Sequence, residues 1–164
     1  MGDSRRFVLF AKLISKHIPK TARIADVASG KGALQAALRQ LGYCNVTSWD
    51  KRKRNASPRR NYHYGYFDYK NTPREYDAIV AMHPDEATDH VILYSAKHQI
   101  PSIVCPCCAK PSATKYRYIG QNIEWQWLRH LRQIAYQSGL LVTETLLPMA
   151  GKNRVLICLP KASK

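Results

Sequence analysis

Acids are scarce in this chain, 11 Asp and Glu against 26 Lys and Arg, so their positions carry information. Asp26, Asp50, Asp68, Asp85 and Glu86 all fall at or just beyond the carboxyl ends of stretches that read as β-strands, the edge where open α/β sheets hold their ligands. The tract Asp26-Val27-Ala28-Ser29-Gly30-Lys31-Gly32 leaves one such strand, turns tightly and enters a helix. Its glycines let the backbone approach a ligand, and the helix start offers free N–H groups to a carboxylate or phosphate. Asp50 closes the next strand, 18 positions after Gly32, where an acid accepts both ribose hydroxyls of an adenosine cofactor. A turn-forming Asp is the plainer alternative. Asp26, Ala28, Ser29, Gly30, Gly32, Asp50 and the adjoining Lys51 are the candidate cofactor-binding residues.

A second group of reactive side chains follows the fourth and fifth strands. Ala81-Met82-His83-Pro84-Asp85-Glu86-Ala87-Thr88-Asp89 supplies an imidazole and carboxylates, and Pro106-Cys107-Cys108-Ala109-Lys110 supplies thiols and an ammonium. A ribose hydroxyl is far too weak an acid to ionise at neutral pH, so a site using one must position it and take or bias its proton. His83 or Asp85 could act as that base, Lys110 could stabilise the oxygen, and Glu144 could orient the lysine. The alternative for His83 is a hydrogen-bonded structural histidine. For Cys107 and Cys108 the alternatives are packing, since free cysteine is among the most buried residue types, and a nucleophile that adds to a pyrimidine ring. No metal site is expected, because Cys105, Cys107 and Cys108 crowd together and no second C-x-x-C pair supplies the usual ligand spacing.

These groups need a scaffold, and apolar periodicity supplies one. Helices are expected over Arg5–Ile18, Ala33–Leu41, Glu86–His98 and Gln121–Ser138. Strands are expected over Arg23–Ser29, Asn45–Asp50, Tyr62–Asp68, Tyr76–His83, Pro101–Cys105, Leu140–Leu147 and Arg154–Leu159. A parallel crossover takes a dozen or more residues, whereas only Pro148 to Asn153 separates the last two strands, so they must pair antiparallel. The expected fold is α/β, a doubly wound, mostly parallel seven-stranded sheet with an antiparallel C-terminal hairpin strand, in a single domain over residues 1–164.

A parallel sheet ending in such a hairpin is the layout of the class I S-adenosylmethionine (SAM)-dependent methyltransferases, which the chain resembles over almost its whole length. The Asp26–Gly32 tract looks like their D-x-G-x-G-x-G motif, with Ala28 in place of the first glycine. The resemblance implies SAM as cofactor and puts Asp68 against the adenine amino group; His83 is counted with both the cofactor-binding and the catalytic candidates. The segment after the fourth strand is not the Asn/Asp-Pro-Pro-aromatic tetrapeptide that grips exocyclic amines. Together with Pro106-Cys107-Cys108 it resembles the branch carrying L-H-x-C-x-x-A-T-D and P-C-C-H, which includes eukaryotic tRNA ribose-methylating enzymes. His83, Ala87, Thr88, Asp89, Pro106, Cys107 and Cys108 match that pattern. Met82, Asp85-Glu86 and Ala109-Lys110 depart from it. The branch implies methylation of RNA, tRNA or rRNA, at a ribose hydroxyl. Asp85, Lys110 and Glu144 are similar to the Lys-Asp-Lys-Glu set of other ribose methyltransferases, with Lys12 or Lys16 as a fourth member.

The charge agrees with a polyanionic partner: the net charge is +15 and the pI about 9.8. Residues 51–60, KRKRNASPRR, carry six positive charges and no acid, and Tyr62, Tyr64 and Tyr66 follow. Cations beside aromatic faces suit looped or single-stranded nucleic acid. Arg52, Lys53, Arg54, Arg59 and Arg60, with Lys115 and Arg117 from a second basic stretch, are the candidate substrate-binding residues. Two other readings stand beside an RNA methyltransferase: a methyltransferase of small molecules or proteins, and a non-catalytic RNA-binding module. A lone catalytic domain must read RNA with its loops, with a partner subunit or as a homodimer. A composition of 45% hydrophobic and 23% charged residues excludes a disordered chain. No run of 18 apolar residues or secretory signal is evident, and the odd number of cysteines suits reduced thiols, so the cytoplasm is the expected location.

Overall fold

Side-chain alternation along the inner strands decides the architecture, because successive residues of a strand point to opposite faces. The computed structural model describes residues 3–52 and 61–161. Its strands are β1 (Ile24–Val27), β2 (Val46–Asp50), β3 (Tyr62–Tyr64), β4 (Ala78–Met82), β5 (Ser102–Cys105), β6 (Leu140–Leu146) and β7 (Arg154–Pro160), and its helices are α1 (Arg6–Ile14), α2 (Ala33–Gln40), α3 (Thr88–His98) and α4 (Ile123–Gln137). In β4, Ala78, Val80 and Met82 join Ile24, Val46 and Ile103 under α1 and α2, where Phe10, Ile14, Leu34 and Leu38 meet them. Ile79 and Ala81 join Ala25, Val27 and Val104 on the other face, against Val91 and Ile92 of α3 and Trp127, Leu131 and Ala135 of α4. Both faces of β1, β4 and β5 are thus covered, which is why these strands read as largely apolar runs, interrupted only by Asp26 in β1 and Ser102 in β5.

The sheet order is β3-β2-β1-β4-β5-β7-β6. Strands β1 to β5 pair in parallel. Strand β7 runs antiparallel to both neighbours, β5 and β6. The hairpin expected from the six-residue connection forms, and its second strand inserts between β5 and β6.

Several elements are shorter than their periodicity suggests. The first helix ends at Ile14; His17 and Lys16 then bond three residues back, a tighter winding that Pro19 halts. Strand β3 stops at Tyr64, paired with Asp50, because β2 ends there and offers no further partner. The helix expected from Glu86 begins at Thr88, after a 3₁₀ turn over Asp85–Ala87.

The loop after β5 is tied down by one buried acid. Asp89, wholly buried in the first turn of α3, accepts from the backbone N–H groups of Ser112, Ala113 and Thr114 at 3.0, 2.8 and 2.9 Å and from the Thr114 hydroxyl at 3.1 Å. Beyond this anchor the chain runs extended across α4. Tyr116 stacks on His130 with ring centroids 4.1 Å apart, while Lys115 and Arg117 point to solvent. Asp89→Ala should cost about 3 kcal/mol or more, the worth of two charge-assisted hydrogen bonds at ~1.5–3 kcal/mol each. Urea denaturation reads this, and a loss below about 1 kcal/mol would contradict the anchoring role.

Candidate active site

The strand order runs outward in opposite directions from β1 and β4, and the crevice at such a reversal is where open α/β sheets bind ligands. A cavity of 280 Å³ opens there, walled by Val27 and Ala28 after β1, Trp49 and Asp50 of β2, Phe67 beyond β3, Pro84 to Ala87 after β4, and Ser112. Trp49, Phe67 and Ala87 give it apolar faces. Its one buried charge is Asp50, only 4% exposed.

Asp50 joins two loops. Its Oδ2 accepts from the Gly30 N–H at 2.8 Å and its Oδ1 from the Arg52 N–H at 2.8 Å. A carboxylate has about four lone-pair sites, so among the described residues, with the Arg52 Nε 3.8 Å from Oδ1, these two bonds leave room for a ligand. The turn it holds is bent left-handed three times, at Ala28 (φ 56°), Gly30 (φ 58°) and Gly32 (φ 72°). Gly30 and Gly32 adopt this freely, whereas Ala28 bears a strain of ~1–2 kcal/mol. Ser29 is buried beneath the turn, and the Tyr62 hydroxyl donates to the Gly30 carbonyl at 2.5 Å.

Asp26 lies under this turn and does not line the cavity. It is 1% exposed, and burial pushes its carboxyl up to about 7, opposed by hydrogen bonds from the Ser48 hydroxyl and the Gln35 backbone amide. Asp68 stands just behind the wall formed by Phe67. It accepts from the Lys70 N–H and the Asn71 side chain and lies 3.6 Å from His90, itself a wall residue. Lys51 and Glu86 close an ion pair across the mouth, and the Lys51 ammonium also sits 5.0 Å from the Tyr66 ring.

The segment after β4 is strained. His83 (φ 57°) and Asp85 (φ 56°) are both left-handed on either side of Pro84, a conformation that persists only where surroundings over-determine it and that clusters at functional sites. The two residues diverge. Asp85 lines the cavity and pairs with Lys110 at 3.0 Å; the carboxylate raises the Lys110 pKa and so keeps the lysine charged.

His83 turns away. Its Nε2–H donates to the Lys152 carbonyl in the β6–β7 turn at 2.8 Å, and burial lowers its pKa. The expected place for His83 at the cofactor is therefore corrected: its ring is held by the hairpin. Glu144 also departs from expectation. It pairs with Arg132 at 3.0 Å and Arg154 at 2.8 Å on the α4–β6 side, and it is Asp85, not Glu144, that holds Lys110. Lys12 and Lys16 are exposed on and just after α1.

Cys107 and Cys108 line a groove of 590 Å³ beside the cavity, with Ile123, Trp127 and Lys152. Burial pushes the Cys107 thiol up to about 11, so it holds little thiolate at neutral pH for addition to a pyrimidine. Arg52 reaches solvent at the rim, whereas Lys53, Arg54, Arg59 and Arg60 lie outside the described residues. A wider groove of 1020 Å³ follows α4 and β6, away from the strand ends. Sequence reasoning missed the anchor Asp89 and the Lys51–Glu86 clasp. Asp89 had a signal in the A-T-D tripeptide; the clasp had none, since its partners are 35 residues apart.

Asp26 makes stability depend on pH. With a raised carboxyl pKa the folded chain binds more protons than the unfolded chain between about pH 4 and 7, so stability falls as pH rises through that window. Asp26→Asn should flatten this slope in denaturant titrations, and an unchanged slope would contradict the assignment.

No family model matches the chain, and no curated protein matches it. Solved structures do. A ribosomal protein L11 methylase from Lactobacillus delbrueckii subsp. bulgaricus is 18% identical with a TM-score of 0.67, over 98% of this chain and 81% of that one. The glycopeptide N-methyltransferase MtfA, complexed with S-adenosyl-L-homocysteine, is 14% identical with a TM-score of 0.61, over 94% and 90%. A putative RNA methyltransferase from Pyrococcus horikoshii is 15% identical with a TM-score of 0.57, over 93% and 81%. The chain has the seven-stranded, Rossmann-like fold of the class I SAM-dependent methyltransferases.

Proposed function

We propose that this chain is a SAM-dependent methyltransferase that acts on RNA, at a ribose hydroxyl. The observation that carries the cofactor is Asp50, a buried carboxylate on the cavity wall with room for a ligand beside its bonds to Gly30 and Arg52. That room suits the vicinal hydroxyls of an adenosine ribose. Phe67 and Ala87 offer apolar faces to a flat base. The cavity is near the lower end of the ~300–1,000 Å³ range of small-molecule sites, and the long side chains of Lys51 and Glu86 can part to enlarge it. An antiparallel β7 inserted beside β5 favours SAM over a nicotinamide dinucleotide, whose fold has the order 3-2-1-4-5-6.

SAM supplies an electrophilic methyl group on a sulfonium. The chain must then position an acceptor oxygen and manage its proton. Asp85, on the wall, can accept that proton, and the Lys110 ammonium beside it can offset charge developing on the oxygen. The tight strained turn at His83–Asp85 fixes the carboxylate in place.

RNA is favoured by the surface. Lys51, Arg52, Lys115 and Arg117 carry charge around the mouth and the following loop, and Tyr64 and Tyr66 are 41% and 71% exposed beside them, giving faces on which bases can stack. The net charge of +15 points the same way. Among the described residues no helix is long and apolar enough to cross a membrane.

The test is methyl transfer from labelled SAM to pools of RNA, protein and small molecules. Label in RNA, in 2′-O-methyl nucleosides, is expected; label confined to the other pools would overturn the substrate, and absence of SAM binding by calorimetry would overturn the cofactor. Asp50→Ala should weaken SAM roughly ten- to hundredfold by removing a charge-assisted hydrogen bond of ~1.5–3 kcal/mol.

A further inference from the structure

Lys110 pairs with Asp85 at 3.0 Å and follows Cys107 and Cys108 in the loop after β5. One donor atom from each of Asp85, Cys107 and Cys108 lies within 4.8 Å of the other two. We propose that these three side chains form a zinc site, which Lys110 shields when no metal is bound.

The donor set chooses the metal. Two thiolates select Zn²⁺ or Cu⁺ over Mg²⁺ or Ca²⁺, and a carboxylate beside them favours the borderline Zn²⁺ over the softer Cu⁺. A tetrahedral zinc with bonds of ~2.0–2.3 Å spaces its donors about 3.5–3.8 Å apart. The side chains therefore close by about 1 Å, within rotamer adjustment for the half-buried Cys107 and the exposed Cys108.

Cys105 is not a fourth ligand. It is fully buried on β5, and its thiol contacts the Lys152 carbonyl at 3.4 Å. Cys107 and Cys108 also line the 590 Å³ groove, so a fourth position would be open to water or to an oxygen of a substrate. Three protein ligands with one open position is the pattern of reactive rather than structural zinc.

The donors also come from separate places, Asp85 from the strained turn after β4 and the cysteines from the loop after β5. Parallel pairing sets those two strand ends side by side, with Met82 opposite Cys105. Zinc here would lower the pKa of a bound hydroxyl. The site shares Asp85 and Lys110 with the proposed methyl-transfer centre but rests on donor geometry, and cobalt binding is read without SAM or RNA, so the two readings fail separately.

Cobalt(II) titration of the reduced full-length chain, followed by zinc competition, tests it. One equivalent should bind with a thiolate-to-cobalt charge-transfer band, displaced by zinc. Cys107→Ser and Cys108→Ser should each weaken binding at least tenfold and reduce the band, Asp85→Asn should weaken binding while keeping it, and Cys44→Ser should change nothing. Lys110→Ala, at an exposed position that folding does not need, should tighten binding several-fold. A wild-type chain without the band, or cysteine variants that bind as the wild type does, would overturn the proposal.

Discussion

The hydrogen bond from the Gly30 amide to the Asp50 carboxylate, 2.8 Å long, joins the turn after β1 to the end of β2, and the cavity exists because of it. The Ser29 N–H bond to the Trp49 carbonyl and the Tyr62 hydroxyl bond to the Gly30 carbonyl fix the same turn above the sheet. The carboxylate is nearly buried, so the bond is charge-assisted in a poorly solvated place, where such bonds are strong. A carboxylate is costly to bury. Retaining it at the mouth of a cavity makes physical sense when a ligand completes its hydrogen bonding.

A second carboxylate does the same job for the other wall. Asp89 gathers three consecutive backbone amides of residues 112–114 and brings Ser112 to the cavity rim. Between the two anchored loops lies the strained segment His83–Asp85. Two left-handed residues around a proline cannot be held by local preference, since each costs of order 1–3 kcal/mol. They are held by two tertiary contacts, the His83 N–H to the Cys105 carbonyl and the His83 ring to Lys152, and by one local bond from the Thr88 hydroxyl to the Asp85 carbonyl. The polar groups of His83 thus go to β5 and to the β6–β7 turn, and its ring stands beside a cavity that it does not line.

Much of this was legible in the sequence. The apolar runs specified β1, β4 and β5, because strands covered on both faces need no alternation with polar residues. The six-residue link before Arg154 was too short for a parallel crossover, so the antiparallel hairpin followed from chain length alone. Asp50 was recognisable at the ligand edge because it closes its strand 18 positions after Gly32. Element ends were less legible: β3 stops where its only partner stops, and α1 stops where a proline approaches, neither being a property of apolar spacing.

What the sequence by itself determined, then, was the order of elements, the face that each buries and the edge along which its acids collect, because these depend on short-range periodicity and chain length. The tertiary structure alone decided which side chains meet. Lys110 finds Asp85 and not Glu144, since Glu144 on β6 lies across β7, where Arg132 and Arg154 reach it first. Asp85 comes beside Cys107 and Cys108 only because β4 and β5 are neighbours in the sheet. Side chains recruited from two adjacent strand ends leave no spacing signature along the chain, and their convergence is a fact of the fold.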